Sequence, residues 1–298
     1  AIGDIDGDGK SDLAVANNGS VTVSVFRNTS TSGSISTSSF ATKVDFATGA
    51  TPISVAIGDI DGDGKSDLVV ANYGSNTVSV FRNTSTSGSI TTSSFATKVD
   101  FATGTKPYSV AIGDIDGDGK SDLAVAIYGS NTVSVFRNTS TSGSITTSSF
   151  ATKVDFATGT NPISVSIGDL DGDGKSDLAV ASLGSNTVSV FRNISTSGSI
   201  SISSFATKVD FTTGTRPNSV AIGDIDGDGK SDLAVANNGS VTVSVFRNTS
   251  TSGSISTSSF AAEVGFATGS NPFSVTIGDI DGDGKSDLAV VNYDSNTV

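Results

Sequence analysis

The residues of this chain best placed to do chemistry are aspartates that recur in one short pattern. Asp4, Asp6, Asp8 and Asp12 occupy positions 1, 3, 5 and 9 of the segment D-x-D-G-D-G-K-S-D, with glycines at positions 4 and 6. Alternate carboxylates on a tightly curled loop direct their oxygens towards a common centre, and glycines supply the backbone angles that such a curl needs. Hard divalent cations bind roughly six to eight such oxygens at ~2.3–2.6 Å. The pattern therefore predicts a metal site.

The same segment begins at six places, 55 residues apart, and holds 24 of the 30 acidic residues. We expect one Ca²⁺ per copy, bound by the four carboxylates and the backbone carbonyl of the lysine at position 7, because Ca²⁺ tolerates irregular oxygen coordination. Without the ion, carboxylates ~4–6 Å apart would repel one another by roughly 3–4 kcal/mol per pair. The candidate ligands are Asp4, Asp6, Asp8, Lys10, Asp12, Asp59, Asp61, Asp63, Lys65, Asp67, Asp114, Asp116, Asp118, Lys120, Asp122, Asp169, Asp171, Asp173, Lys175, Asp177, Asp224, Asp226, Asp228, Lys230, Asp232, Asp279, Asp281, Asp283, Lys285 and Asp287.

Three other interpretations of the segment exist, and the residues disfavour each of them. The EF-hand requires Glu at position 12 and a helix on each side of its loop. This chain has Val15 at position 12, and strands are predicted on both sides. Mg²⁺ prefers octahedral sites that keep several waters. A solvated acidic turn without metal would not need four aspartates at one spacing in all six copies.

The composition excludes several classes of function. The net charge is −13, whereas nucleic-acid binding demands a basic face. Six bound divalent cations would bring the net charge close to zero, so we interpret the excess of aspartates as ligands for metal ions. The chain lacks Cys and His, the usual thiolate nucleophile and the commonest general base. No apolar run approaches the ~20 residues of a membrane span, so we expect no membrane insertion.

We predict that one repeat forms four strands, labelled A to D in sequence order. The D–A turn connects strand D of one repeat to strand A of the next. For the second copy the predicted ranges are 54–60, 67–72, 77–82 and 95–101, and the first, third and fourth alternate between two kinds of residue along the strand. In strand A, small Ala56 and Gly58 share one face, which fits the crowded innermost position where blades converge. The predicted fold class is all-β.

Four short strands per repeat are typical of a β-propeller blade. We therefore predict a β-propeller-like array of four-stranded antiparallel blades with a 55-residue repeat, or alternatively an open blade stack or filament of the same repeats. Residues 1–298 form a single repeat array in this interpretation. Its units are about 1–49 (partial), 50–104, 105–159, 160–214, 215–269 and 270–298 (partial).

The run V-A-I-G-D-I-D-G-D-G-K-S-D-L-A-V-A-N, followed by N-T-V-S-V-F-R-N, resembles the FG-GAP or VCBS-type repeat, and the resemblance covers every copy. It implies integrin-like β-propeller blades with Ca²⁺ in the loop between strands A and B. It also implies secretion and a role in adhesion, cell-surface structure or carbohydrate binding. The long connector between strands C and D and the near-identity of the copies depart from compact propellers and favour a polymer-like array.

Two turns vary among copies that are otherwise nearly identical. Because B–C and D–A turns lie at the end of a blade opposite the A–B loops, the variation collects on one face. Exposed aromatic residues there indicate a surface for sugar rings or protein, or else turns that merely tolerate change. The B–C positions are Asn18, Tyr73, Tyr128, Leu183, Asn238 and Tyr293; the D–A positions are Lys106, Tyr108, Asn161, Ile163, Arg216, Asn218, Asn271 and Phe273.

The C–D connector is rich in Ser and Thr and opens on a possible N-glycosylation site. The acceptors would be Asn28, Asn83, Asn138, Asn193 and Asn248, each followed by x-Ser, and the alternative is a flexible polar loop.

We do not expect an enzyme, because a catalytic site normally breaks the symmetry of a repeat. Outside the loops only Asp45, Asp100, Asp155, Asp210, Glu263 and Asp294 remain as acids, four of them at one equivalent position. We expect an extracellular protein, secreted or at the cell surface, with a structural or adhesive role. Its partners would be copies of itself in a filament, or cell-surface glycans and proteins; the alternative is a lectin-like propeller that binds carbohydrate through its variable face.

Overall fold

The computed structural model describes all residues, 1–298, and contains only β-strands as regular elements. The first three sheets comprise β1 (Ile2–Gly3), β2 (Asp12–Asn17), β3 (Thr22–Phe26) and β4 (Val44–Ala47); β5 (Pro52–Gly58), β6 (Asp67–Asn72), β7 (Thr77–Phe81) and β8 (Val99–Ala102); and β9 (Pro107–Gly113), β10 (Asp122–Ile127), β11 (Thr132–Phe136) and β12 (Val154–Ala157). The others comprise β13 (Pro162–Gly168), β14 (Asp177–Ser182), β15 (Thr187–Phe191) and β16 (Val209–Thr212); β17 (Pro217–Gly223), β18 (Asp232–Asn237), β19 (Thr242–Phe246) and β20 (Val264–Ala267); and β21 (Pro272–Gly278) with β22 (Asp287–Asn292).

Each sheet is an antiparallel meander in which neighbours in sequence are neighbours in space. Five sheets have four strands in the order A-B-C-D, and the sixth consists of strands A and B alone. This confirms the predicted all-β fold of four-stranded antiparallel blades. In the second blade the ladder between β5 and β6 ends at the pair Gly58 and Asp67, so both ends of the A–B loop are fixed by the sheet.

The predicted strand B agrees with the structure, whereas the predicted strand D begins too early. Only Val99–Ala102 forms the fourth strand of the second blade. Phe95 makes one isolated bridge with Asn83 instead, and its ring packs edge-on against Phe46 of the preceding blade, with centroids 4.9 Å apart. The alternation of apolar residues through this segment therefore marks a contact between blades, which period-two patterning cannot distinguish from a strand.

The hydrophobic cores lie between blades rather than within them. One cluster joins Val78 and Phe101 of the second blade to Leu123 and Phe150 of the third, and the other junctions repeat this arrangement. Since each sheet buries both of its faces only against neighbouring blades, a single repeat cannot be stable alone.

Strand A lies at the inner edge of every blade, as its small residues predict. A Cβ added to Gly58 would lie 3.1 Å from Cγ2 of Ile112 in the next blade, so glycine favours this close approach. Strands A of the third to sixth blades line a common apolar groove of about 380 Å³. The blades are thus arranged around an inner concavity, as in a propeller.

The array remains open within these residues. Phe101 is 8% exposed, whereas its equivalent Phe266 is 52% exposed, and Ile2 at the other end is 70% exposed. The sheets of residues 1–298 do not close into a ring, which is consistent with an open blade stack. The structure contains no helix with the length and hydropathy of a membrane span.

Candidate metal centres and the opposite face

The first aspartate of each A–B loop holds the loop backbone in its curl. In the second blade Oδ1 of Asp59 accepts hydrogen bonds from the N–H groups of Gly62 (2.8 Å) and Asp63 (3.2 Å), and Oδ2 accepts one from Gly64 (2.9 Å). Gly62 and Gly64 have φ values of 67° and 85°, the left-handed region that glycine enters without strain. The loop geometry is therefore encoded by the first aspartate together with two glycines.

The second aspartate supplies the clearest sign of a cation site. Oδ1 of Asp61 accepts a hydrogen bond from the Asp63 N–H, but Oδ2 is buried and has no hydrogen-bond partner. The nearest cationic atom, Nη1 of Arg82, lies 3.8 Å away, beyond hydrogen-bonding distance. An unpaired buried carboxylate oxygen is costly unless a positive charge compensates it. The same unpartnered Oδ2 recurs in Asp6, Asp116 and Asp171.

The last aspartate of the segment joins the loop to the sheet. Asp67 is fully buried; its Oδ2 accepts from the Ile60 N–H (3.0 Å), and its Oδ1 accepts from the Asn83 N–H at the end of strand C (2.7 Å). Burial raises the pKa of Asp67 to about 7, against the opposing effect of these hydrogen bonds. Burial, followed by the charge of Asp63, also raises the pKa of Asp61.

Three of the four carboxylates predicted as ligands come together in each of the first five loops. In the first blade one oxygen from each of Asp4, Asp6 and Asp8 lies within 4.8 Å of the others. The next four blades bring together positions 1, 3 and 9 of the segment at the same spacing: Asp59, Asp61 and Asp67; Asp114, Asp116 and Asp122; Asp169, Asp171 and Asp177; and Asp224, Asp226 and Asp232. These clusters of hard oxygens could hold a metal ion and are compatible with Ca²⁺.

The lysine at position 7 has a role that the sequence did not reveal. Nζ of Lys65 donates a hydrogen bond to the Ser85 carbonyl in the C–D connector of its own blade (2.8 Å), and Lys120, Lys175 and Lys230 do the same in theirs. Its backbone carbonyl as a metal ligand stays a prediction.

The C–D connector packs over the A–B loop of the preceding blade. Asn83 Nδ2 donates to the Ile5 carbonyl (2.6 Å), Ser87 Oγ donates to the Gly7 carbonyl (2.8 Å), and the Gly88 N–H donates to the Asp6 carbonyl (3.2 Å). Sequence analysis treated this connector as a flexible loop or a glycan carrier. The invariance of Asn and Ser at fixed positions in every copy was the available signal of an ordered contact.

The glycosylation interpretation is wrong for four of the five connector asparagines. Asn83, Asn138, Asn193 and Asn248 are 0–1% exposed. Each donates both side-chain N–H groups, one to the preceding blade and one to the serine at position 8 of its own loop. A glycan cannot be attached to a nitrogen atom that is enclosed between two blades. In the first blade Asn28 is half-buried and makes only the second of these bonds.

The variable turns meet at the opposite face of the array. Tyr73, Tyr108 and Tyr128 lie with ring centroids 6.1–6.3 Å apart, and Nζ of Lys106 lies 5.5 Å from the Tyr73 centroid. The rings line a cavity of about 310 Å³, here called the tyrosine pocket. Its walls include Tyr73, Tyr108, Tyr128, Ile163, Leu183 and Arg216. The lining also includes Asn18, so residues up to 198 positions apart in the chain form one site.

Comparison with known proteins identifies the fold more clearly than the function. A lectin from Agrocybe aegerita that recognises non-reducing terminal N-acetylglucosamine aligns with a TM-score of 0.60 at 19% identity, covering 98% of this chain and 73% of the lectin. The periplasmic gluconolactonase PpgL of Pseudomonas aeruginosa aligns at 0.58 and 21% identity, covering 96% and 71%. A protein of unknown function from Desulfotomaculum acetoxidans aligns at 0.57 and 15% identity, covering 87% and 68%. At these identities the likeness shows the fold alone.

The sequence itself gives a direct assignment. No curated protein matches the chain. The model of the FG-GAP-like repeat, however, matches five overlapping segments, residues 4–70, 59–125, 116–180, 169–235 and 224–290. These segments span almost the whole array and contain the acidic loops described above. The chain belongs to the FG-GAP-like repeat family.

Proposed function

We propose that the chain is a secreted or cell-surface calcium-binding repeat protein with a structural or adhesive role. The observation that carries this proposal is the buried, unpartnered Oδ2 in the acidic loops, represented by Asp61 among the carboxylates of its cluster. A divalent cation would compensate that charge and the mutual repulsion of the neighbouring carboxylates. Ca²⁺ fits better than Mg²⁺, because the donors are several carboxylates on one irregular loop rather than a water-rich octahedral site.

The ion would act on two blades at once. Within a blade it would hold the A–B loop between its two strands, because the liganding carboxylates also accept the loop N–H groups. The next blade places Asn83 and Ser87 on carbonyls of the same loop, so a fixed loop also fixes the junction. Calcium binding would therefore stiffen the whole array, and part of its binding free energy would be folding free energy.

The proposed extracellular location follows from the same chemistry. Extracellular modules bind Ca²⁺ with dissociation constants of about 10⁻⁴–10⁻³ M, a range in which loops of this kind are useful without disulfides. The near-identity of the repeats is the basis for proposing that the array continues or assembles as a filament. Copies of the same chain, or cell-surface glycans and proteins, are the partners in this proposal.

The proposal includes no catalytic step. Asp45, Asp100, Asp155 and Asp210 each form an ion pair with a lysine two residues earlier on the outer strand. These four carboxylates therefore form separate ion pairs with lysine on the surface of successive blades. They do not lie together as the general acid and general base of a catalytic site. That the segment is not an enzyme stays a prediction.

Thermal unfolding with and without calcium tests the main proposal. We expect a chelator to lower the melting temperature by tens of degrees and added Ca²⁺ to restore it, because a ligand that binds only the folded state stabilises it. Calorimetric titration should give about one ion per complete loop. An identical melting curve in chelator and in calcium would contradict the proposal. Electron microscopy in calcium tests the filament, which monodisperse particles would exclude.

Carbohydrate binding is a second candidate function, favoured by the cluster of Tyr73, Tyr108 and Tyr128. Tyrosine offers an apolar ring face together with a hydroxyl group, the combination that a sugar ring can use. A glycan array probed with the calcium-loaded protein tests this candidate, and a complete absence of binding would exclude it.

A further inference from the structure

The aromatic residues that are not shared by all copies of the repeat lie on the face opposite the acidic loops. Fifteen of the 16 phenylalanines stand at repeated positions, and the exception is Phe273 at the start of strand A of the last blade. Three of the four tyrosines lie in B–C turns, Tyr73, Tyr128 and Tyr293, and Tyr108 lies at the start of strand A of the third blade. Sequence divergence in a nearly uniform array is thus concentrated where rings can meet, and three of these rings line the tyrosine pocket.

The basic residues that break the repeat lie on the same face. Of the 17 basic residues, 15 stand at repeated positions, and the other two are Lys106 and Arg216 in D–A turns. Arg216 lines the tyrosine pocket, and Lys106 lies over the Tyr73 ring. The acids are concentrated elsewhere, in the loops at the other end of the strands, and only Asp294 stands in a turn of this face. A strongly acidic protein therefore presents a locally cationic aromatic pocket.

The backbone at these two positions does not favour a long cationic side chain. Lys106 and Arg216 have φ values of 62° and 55°, in the left-handed region where Asn is better tolerated. Asn161 and Asn271 occupy the same position in the fourth and sixth repeats. The turn would therefore form more easily with Asn, and Lys106 and Arg216 add positive charge at the expense of local backbone preference.

We propose that the tyrosine pocket binds a carboxylated pyranose, the uronic-acid residue of an acidic polysaccharide. The half-buried tyrosines offer ring faces for the sugar, and Arg216 offers the forked guanidinium that pairs with a carboxylate. The cavity of about 310 Å³ lies at the small end of ligand sites and suits one sugar ring. This proposal deepens the second candidate function and depends on it.

The array itself supplies matched substitutions that preserve the fold. Each pocket residue can be replaced by the residue that another repeat carries at the same position, in the same turn. The pocket variants are Arg216→Asn, as in Asn161; Tyr73→Asn, as in Asn18; Tyr108→Ile, as in Ile163; and Tyr128→Leu, as in Leu183. Tyr293→Asn is the control, because Tyr293 lies in the equivalent B–C turn of the last repeat and outside the pocket.

The experiment is calorimetric titration of the calcium-loaded chain with two oligosaccharides that differ only in a terminal glucuronate or glucose. We expect the glucuronate form to bind roughly tenfold or more tightly, because a charge-assisted hydrogen bond discriminates on that scale. Arg216→Asn should remove this preference, Tyr128→Leu should abolish binding of both, and Tyr293→Asn should change neither. Melting curves in calcium show that each variant is folded.

Four results would overturn the proposal. Absence of binding to either sugar would reject the pocket and leave the calcium proposal standing. Neutral-sugar binding that survives Tyr128→Leu would place a carbohydrate site elsewhere and reject this one. An unchanged preference in Arg216→Asn would reject the role of the guanidinium. Competition by polyglutamate as strong as that by the uronate would show that the ligand is an acidic peptide.

Discussion

Asn83 donates a hydrogen bond through Nδ2 to the backbone carbonyl of Ile5, 2.6 Å away, 78 residues earlier and in the preceding blade. Ile5 lies between two of the candidate ligands, Asp4 and Asp6. The contact recurs as Asn138 with Ile60, Asn193 with Ile115 and Asn248 with Leu170. The acidic loop and the junction between blades are therefore one structural unit.

Asn83→Ala should destabilise the array more than Asn28→Ala does. The alanine variant loses the bonds to the Ile5 and Ser66 carbonyls, and only a long bond of 3.4 Å from Ser85 Oγ remains to the Ile5 carbonyl. An unsatisfied buried polar group costs about 1–3 kcal/mol. Asn28 has only the equivalent of the second bond, which is exposed. Urea unfolding in calcium measures the difference, and equal losses in the two variants would contradict a role between blades.

Asp61→Asn should remove one calcium site and leave the others intact. The substitution removes the negative charge of Asp61, whose Oδ2 has no hydrogen-bond partner, and repeats interact only with their neighbours. Titration should find one ion fewer per chain. Asp100→Asn, on the outer strand beside Lys98, is the control and should leave the number of bound ions unchanged. An unchanged count in Asp61→Asn would show that this loop does not bind calcium through that residue.

The pH dependence of stability should reverse sign when calcium is removed. Burial raises the pKa of Asp67, Asp122 and Asp177 to about 7 in the metal-free protein, above that of an unfolded aspartate. Their contribution to stability is therefore complete below about pH 4 and is lost as the pH rises through 7. In calcium the carboxylates must be deprotonated to bind, so stability should increase over the same range.

Melting temperatures between pH 5 and pH 8 check this prediction. In chelator they should fall with rising pH, and in calcium they should rise. Parallel curves under the two conditions would show that these carboxylates do not exchange protons for the metal ion.

Val21→Asn should stabilise the protein. Val21 has a φ of 57°, which costs a β-branched residue about 1–2 kcal/mol, whereas the equivalent Asn76 tolerates this conformation. Oδ1 of Asn76 also accepts a hydrogen bond from the Lys106 N–H of the next blade (2.7 Å), and Asn at position 21 would offer the same acceptor to Thr51. We expect a gain of about 1–2 kcal/mol by urea unfolding. The reverse change, Asn76→Val, should cause a comparable loss; a gain there would contradict this account.

Gly58→Ala should lower the free energy of unfolding, whereas Gly278→Ala should leave it nearly unchanged. The added Cβ at Gly58 would press on Ile112 Cγ2 at 3.1 Å, and overpacking of this kind costs about 1–3 kcal/mol. Nothing lies within 4 Å of a Cβ at Gly278, the same position in the last repeat. Unfolding in urea compares the two variants, and equal stability would mean that the blades do not meet at this glycine.

Local patterns predicted the blades and the acidic clusters because both are encoded within one repeat. Strand B of the second blade is a short apolar run that begins at the aspartate ending the loop, so its limits could be predicted directly. Phe95 was wrongly included in strand D because its period-two spacing continues that of Val99 and Phe101. Its ring instead packs against Phe46 of the preceding blade. The roles of Asn83 and of the tyrosine pocket depend on distances between blades, which no single repeat contains.

Gly58 and Ile112 have a consequence for the overall shape. The same glycine–isoleucine contact occurs at five successive junctions, from Gly3 with Ile57 to Gly223 with Ile277. This contact limits how closely the inner edges of neighbouring sheets can approach, and because it is copied along the polypeptide, any change in it accumulates. A smaller residue in place of the isoleucine in every copy would tighten the arc, and the number of sheets needed to complete a full turn would change with it.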